Sequence, residues 1–151
     1  MLERTTEAAR PITLKRIEAL EKKLKLSLPP AYKEFLLRFN GGRPHPSHFT
    51  LDRGLGEHWE KVHFFFGVDD DTPSCDIEWN HDTFKRRIPD RVLPVADDEF
   101  GNCYCMDLRS DPEGPILFWD HELEQKGMVE ALKHRIAGSF SEWLAMLTPR
   151  A

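Results

Sequence analysis

Cysteine and histidine are the residues of this 151-residue chain that could bind a metal ion, and two of the cysteines stand close together. Cys103 and Cys105 are separated by one residue in "NCYCMD", so on a β-strand their side chains point to the same face. A tetrahedral zinc site needs two further ligands, which Cys75 with His81 or His121 could supply. No C-x-x-C pair supports that site, and buried cysteine commonly behaves as a small apolar residue. We therefore expect the thiols to pack in the core, and we expect no metal or other cofactor.

A second polar group lies in "WDHE", where Asp120, His121 and Glu122 follow an aromatic residue. Such a group could act in acid–base catalysis if it lined a cleft. However, the chain contains no G-x-S-x-G, H-E-x-x-H or Walker motif that would position a nucleophile, a metal or a phosphate. A strand that ends in an exposed loop is the favoured interpretation. We expect no catalytic activity, and an enzyme that uses Cys103, Cys105 and His121 is the third-ranked alternative.

The Gly41-Gly42 pair could in principle form a phosphate-binding loop, but its position in the chain argues against this. Phosphate loops place glycines before a helix, where free N–H groups point at the anion. Here the glycines follow an apolar stripe at helical spacing, Tyr32, Phe35, Leu36 and Phe39. Glycine directly after a helix is the favoured left-handed cap. The pair is therefore predicted to end a helix.

Carboxylates form the most distinctive surface feature of the sequence. The net charge is −5, yet residues 1–45 hold ten Lys+Arg and five Asp+Glu, whereas residues 46–151 hold eleven and twenty-one. The second part, with a net charge of −10, should repel nucleic acid and attract basic partners. Two exposed aromatic residues are expected beside the acidic runs, as is usual for a protein-binding surface. The predicted partner-binding residues are Asp69, Asp70, Asp71, Asp76, Glu78, Trp79, Asp97, Asp98, Glu99 and Phe100.

Two other interpretations of these acidic runs remain open. For any one run, a charged surface that only aids solubility ranks slightly above partner binding, and metal binding ranks below solubility. Calcium is the metal that clustered carboxylates would bind, but the spacing does not match an EF-hand loop.

The elements that carry these residues can be predicted from caps and periodicity. Thr13 is a plausible N-cap for a first helix, Pro29 and Pro30 suit the start of a second, and Ser139 with Glu142 forms a capping box before a last helix. The region 44–61 is predicted as a loop and 64–68 as a buried strand, and a short helix within 76–92 should end at Pro89. The β-type runs 92–96, 102–107 and 116–119, separated by turns, predict an antiparallel meander. The expected fold class is α+β: one domain over 1–151, with a core at about 13–148, in which a mostly antiparallel or mixed sheet is flanked by N-terminal and C-terminal helices.

The cellular location can also be predicted. The charged start "MLERTTEAARPITLKRIEAL" has no apolar signal-peptide core, and no segment reaches the ~18 apolar residues of a membrane helix. The odd number of cysteines does not suit a disulfide framework. These features predict a cytoplasmic protein that binds neither membrane nor nucleic acid directly.

The order of the blocks resembles the SUKH superfamily, the Smi/Knr-type domains of fungal cell-wall synthesis regulators and bacterial toxin-immunity proteins. The most specific block is "IEALEKKLKLSLPPAYKEFLLRFNGGRP", followed by "RVLPVADDEFGNCYCMDL", "ILFWDHE" and "IAGSFSEWLAML". The residues that match the family motif, which the resemblance implies are structural, are Leu28, Pro29, Tyr32, Phe35, Leu36, Asn40, Gly41 and Gly42.

The resemblance implies a non-catalytic protein-binding module. Bacterial members typically neutralise toxins, often nucleases, by binding them, so the expected partner is a basic toxin domain. A regulatory or scaffold protein of the same fold without a toxin partner is the alternative.

Overall fold

The fold is described here from a computed structural model that covers residues 1–52 and 54–151. The strands are β1 (Arg4–Thr6), β2 (Arg43–His45), β3 (His48–Asp52), β4 (Glu57–Lys61), β5 (Phe64–Phe65), β6 (Val92–Asp97), β7 (Cys103–Asp107), β8 (Ile116–Trp119) and β9 (His134–Ala137). The α-helices are α1 (Leu14–Leu24), α2 (Pro30–Arg38), α3 (Ile77–Thr83), α4 (Met128–Ala131) and α5 (Phe140–Met146), and short 3₁₀ helices cover Pro73–Cys75 and His121–Lys126.

The central sheet is an antiparallel meander in the order β5-β6-β7-β8-β9. The turns predicted between the β-type runs join β6, β7 and β8, and Cys105 pairs with Leu117 across the middle of the β7–β8 ladder. Two smaller pairs, β1–β2 and β3–β4, lie outside this sheet. Helices α1 and α2 precede the central sheet in the sequence and α5 follows it, so the α+β prediction is confirmed.

Both faces of the sheet are buried. Successive side chains of a strand alternate between the two faces, so β6, β7 and β8 each contribute to two cores. Tyr104 and Met106 of β7 belong to the larger core with α1, α2 and α5. Cys103 and Cys105 belong to a smaller core on the opposite face, together with Trp119. An aromatic cluster links the larger core to the sheet; its members are Tyr32, Phe35, Phe65, Phe140 and Trp143.

The helix caps follow the predicted chemistry with two differences. Thr13 caps α1 by accepting the N–H of Arg16 at 3.2 Å. Ser139 caps α5 by accepting the N–H of Glu142, but the Glu142 carboxylate accepts the N–H of Gly138 rather than that of Ser139. Helix α3 ends at Thr83, earlier than the predicted stop at Pro89, because the chain turns there and Arg86 has a left-handed φ of 72°.

The region 44–61, predicted as a loop, was the largest error in the sequence-based assignment. It contains an antiparallel hairpin in which Phe49 pairs with Glu60. The Asp52 carboxylate shapes its turn by accepting the N–H groups of Gly54 and Gly56 at 2.8 and 3.2 Å. Phe49 is buried whereas β4 is mostly exposed. The pattern therefore lacks the strong alternation by which a half-buried strand is recognised.

The Asn40-Gly41-Gly42 motif follows the end of α2, as predicted. It also connects α2 to two other parts of the chain. The Asn40 amide donates to the carbonyls of Arg10 and Val68 at 2.7 and 2.9 Å and accepts the N–H of Val68 at 2.8 Å. Gly41 has a φ of 82°, and a Cβ there would lie 2.7 Å from the carbonyl oxygen of Phe65. Only glycine fits this close approach.

No helix in the described part of the chain is both long and apolar enough to cross a membrane.

Candidate functional site

The three cysteines do not meet in the structure. Cys103 and Cys105 share a face, as predicted, but that face is packed with apolar side chains. Burial raises the pKa of both thiols, which keeps them protonated. Cys75 packs against the larger core instead. Within residues 1–52 and 54–151, no group of three or more His, Cys, Asp or Glu side chains is arranged to hold a metal ion.

The "WDHE" residues lie where β8 ends, as the loop interpretation predicts. The Asp120 carboxylate accepts the N–H of Glu122 at 2.9 Å and so caps the 3₁₀ helix that follows. The exposed His121 ring lies 2.6 Å from the Asn102 amide oxygen. Asp120 therefore shapes the local turn, and His121 contacts a residue of the β6–β7 turn.

The first acidic group is named the Arg16 cluster after the cation that binds two of its carboxylates. Its members are Asp69, Asp70, Asp71, Asp76, Glu78 and Trp79. The Arg16 guanidinium donates to both Asp69 carboxylate oxygens at 2.9 Å and to Glu78 at 2.7 Å. Lys23 donates to the second Glu78 oxygen at 2.6 Å. These hydrogen bonds hold the pKa of the Asp69 and Glu78 carboxyls below their usual values. Basic residues of α1 thus neutralise much of this group.

Other members of the Arg16 cluster shape the backbone. The Asp76 carboxylate caps α3 by accepting the N–H of Trp79 at 3.0 Å and also accepts the N–H of Asp70. Asp70 in turn accepts the N–H of Thr72 at 2.9 Å. Asp71 forms an exposed ion pair with Arg10 at 3.3 Å. The Trp79 side chain is 44% exposed.

The second acidic group lies in the turn between β6 and β7. Asp98 shapes this turn: its carboxylate accepts the N–H groups of Phe100 and Asn102 at 2.8 and 3.0 Å. Glu99 pairs with Lys61 of β4, and this hydrogen bond holds the pKa of the Glu99 carboxyl below its usual value. Phe100 is 75% exposed. The turn thus presents an aromatic ring to solvent.

Asp97 differs from the other carboxylates of these acidic runs because its pKa is shifted upward. Burial raises the pKa of Asp97 to about 6, although the neighbouring His63 opposes the shift. The His63 Nδ1 lies 3.1 Å from the Asp97 carboxylate, and Arg43 lies 2.8 Å from the other ring nitrogen. Since a guanidinium can only donate, this geometry assigns the ring proton to Nδ1.

The hairpin brings further side chains to the turn, and together they form the hairpin-turn surface: His48, Trp59, Lys61, Asp98, Glu99, Phe100 and Arg150. They line a shallow depression of about 290 Å³. The Trp59 side chain is 39% exposed; the Arg150 guanidinium lies 5.5 Å from its ring centroid and the His48 ring packs edge-on against it at 6.2 Å. Exposed aromatic rings with a charged rim are typical of protein interfaces.

Sequence reasoning identified Asp98, Glu99 and Phe100 in this surface but missed His48, Trp59, Lys61 and Arg150. Trp59 and Arg150 are far apart in the sequence. The position of Trp59 is set by the β3–β4 hairpin, in which it pairs with Thr50. The signal that could have identified Trp59 is the hairpin itself, since glycine-containing loops between β-type runs predict one.

Comparisons with known proteins give a family model, a relative and a solved structure that match this chain. The model of the SMI1 / KNR4 family (SUKH-1) matches residues 11–146. The SPbeta prophage-derived uncharacterized protein YokK of Bacillus subtilis (strain 168) is 31% identical over 151 residues, which cover 89% of this chain and 74% of the relative. A crystal structure of a protein from Pseudomonas syringae pv. tomato matches with a TM-score of 0.57 and 15% identity, covering 95% of this chain and 86% of that one, and supports the fold.

Proposed function

The chain belongs to the SMI1 / KNR4 family (SUKH-1), and from that membership we propose that it is a non-catalytic binding protein of the immunity type. Its partner would be a protein toxin with a basic domain. Family membership supports the general role, since SUKH domains often act as immunity proteins.

We place the toxin contact on the hairpin-turn surface, and the exposed pair Trp59 and Phe100 is the observation that carries this choice. Hot spots of protein interfaces are enriched in aromatic residues that become buried within a charged rim. Neither ring is needed to fill the core, because both are substantially exposed. Asp98 and Glu99 supply negative charge beside them.

The Arg16 cluster is a weaker choice for the contact. Its Asp69 and Glu78 carboxylates already bind Arg16 and Lys23, and a basic partner would have to displace those cations. The partner-binding role of the cluster, Trp79 included, stays a prediction.

Growth protection tests the proposed function. The partner would be identified by co-purification from the native host and mass spectrometry, and then expressed in cells with and without this chain. We expect the partner to arrest growth, the wild-type chain to restore it, and Trp59→Ala with Phe100→Ala to abolish protection. Leu37→Ala is the matched control, because Leu37 is an exposed apolar residue of α2 outside this surface.

Two results would contradict the proposal. A partner that does not harm cells would favour the regulatory or scaffold role. Protection that survives the double substitution would place the contact elsewhere on the molecule.

A further inference from the structure

A groove of about 500 Å³ lies away from the hairpin-turn surface, between the end of α1 and the segment 84–94 that leads from α3 into β6. Its apolar lining comes from both walls and includes Leu24, Leu26, Phe84 and Ile88. The volume lies within the ~300–1,000 Å³ range of ligand-binding clefts.

The rim of the groove is basic in a chain whose net charge is −5. Lys23, Lys25, Lys85 and Arg91 line it, with Asp90 as the carboxylate among them. Lys23 is bound to Glu78. Within residues 1–52 and 54–151, in contrast, Lys25 and Lys85 have no side-chain hydrogen bond or ion pair, and both are exposed. The rim of the groove therefore carries positive charge that no carboxylate of the described chain neutralises through a direct contact at Lys25 or Lys85.

The backbone holds two of these cations in an unusual conformation. Lys25 and Arg91 have φ values of 56° and 67°, a region that glycine occupies more easily than other residues. The Arg91 guanidinium also donates to the Leu108 carbonyl at 3.3 Å and the Lys25 carbonyl at 3.5 Å, which ties the two walls together. At Lys25 this conformation is the left-handed cap that ends α1.

We propose that this groove binds an acidic segment of a partner protein. An apolar side chain of the segment would pack on Leu26 and Phe84, while flanking carboxylates would face Lys25, Lys85 and Arg91. The cations favour an acidic ligand, and the apolar floor favours a peptide over a polyphosphate. Nucleic acid is disfavoured because the rest of the molecule carries a net negative charge that repels a polyanion. The proposal is independent of the hairpin-turn surface.

An array of hexapeptides tests the groove directly. Each peptide carries one Leu, Phe or Trp among two to four Asp or Glu residues, and a counterpart carries Lys in place of every acid. We expect acidic peptides to bind better than their Lys counterparts, and the strongest one to shift backbone amide signals of residues 23–26 and 84–94 in NMR spectra. A single-stranded 12-nucleotide DNA is the competing probe.

Charge reversal supplies the matched variants. Lys25→Glu with Lys85→Glu should weaken binding of the strongest acidic peptide roughly tenfold, as expected for two exposed charge contacts. Lys15→Glu is the control: it reverses an exposed charge on the same helix about 15 Å away, and its melting temperature and peptide affinity should match the wild type. Melting curves of the double variant establish that it folds.

Three outcomes overturn the proposal. The first is an array without preference for acidic over Lys peptides, and the second is amide shifts confined to other surfaces. The third is tighter binding of the DNA than of any peptide, which would make the groove a nucleic-acid site.

Discussion

The Arg16 cluster and the hairpin-turn surface have similar compositions, acidic side chains beside an aromatic ring, yet they are built differently. In the Arg16 cluster the carboxylates are bound by cations of α1 or cap turns. On the hairpin-turn surface, two exposed rings stand at the edge of a depression. In both regions carboxylates are already bound within the fold, since Glu99 pairs with Lys61 and Asp98 accepts turn N–H groups. The difference teaches that a run of carboxylates in a sequence does not by itself locate a binding surface, and that the pair of exposed rings is what sets the hairpin-turn surface apart.

Both regions pack on the same aromatic core, so a substitution in that core should have the largest effect and should destabilise both regions together. Phe35 is buried against Phe65 and Phe140. Phe35→Ala should lower the free energy of unfolding by about 3–5 kcal/mol, the usual loss for a large core truncation. Denaturant unfolding measures this. A loss below about 1 kcal/mol, typical of surface positions, would mean that the core is wrongly assigned.

Two exposed tryptophans offer the sharpest contrast in binding. Trp59 and Trp79 are 39% and 44% exposed, so truncation of either should change stability little. Trp59→Ala should weaken partner binding about thirtyfold, as an interface hot spot of about 2 kcal/mol does, and Trp79→Ala should change it less than threefold. Calorimetric titration with the purified partner measures both. Equal losses would merge the two regions into one interface.

Two carboxyls, Asp97 next to the β6–β7 turn and Glu78 in the Arg16 cluster, should change stability with pH in opposite directions. Burial raises the pKa of Asp97 to about 6, so the folded state holds this proton more tightly than the unfolded chain. The stability that Asp97 contributes is complete below about pH 4 and is lost as pH rises through about 6, by roughly 3 kcal/mol. Asp97→Asn, which keeps an acceptor for His63, should remove this loss in unfolding experiments from pH 4 to 7.

Glu78 is the matched case of opposite sign. Its lowered pKa means that its contribution is present above the ordinary carboxyl pKa and is lost as pH falls through the lowered folded value. Glu78→Gln should therefore flatten the acid limb of the stability profile. Parallel profiles for the Asp97 and Glu78 variants would show that the two carboxyls do not differ as described.

Removal of a single cation should change stability least among these substitutions. The loss should be larger in the Arg16 cluster than on the hairpin-turn surface. Arg16→Met leaves Asp69 and Glu78 without their shared donor, and we expect a loss of roughly 1–2 kcal/mol in unfolding free energy. Lys61→Met breaks only the exposed pair with Glu99 and should change stability by less than about 1 kcal/mol. Methionine keeps an unbranched apolar stem at both positions. A larger loss for Lys61→Met would reverse the comparison.

Local patterns were sufficient to predict much of the fold. The caps at Thr13 and Ser139, the α2 stripe that ends at Asn40-Gly41-Gly42, and the β6–β8 meander all depend on short-range chemistry that the sequence displays. The hairpin was missed because its β4 strand is mostly exposed and carries no apolar alternation. The ion pairs of Arg16 with Asp69 and Glu78 span more than fifty residues, and no local pattern reports such long-range pairing.

Site-specific photo-cross-linking tests the central claim most directly. A benzophenone amino acid would replace Phe100 in one variant and Trp79 in another, with position 37 as background, and cross-linked products from the native host would be identified by mass spectrometry. We predict that position 100 captures the proposed toxin partner, at a yield well above positions 79 and 37. Capture of that toxin from position 79 and none from position 100 would contradict the account.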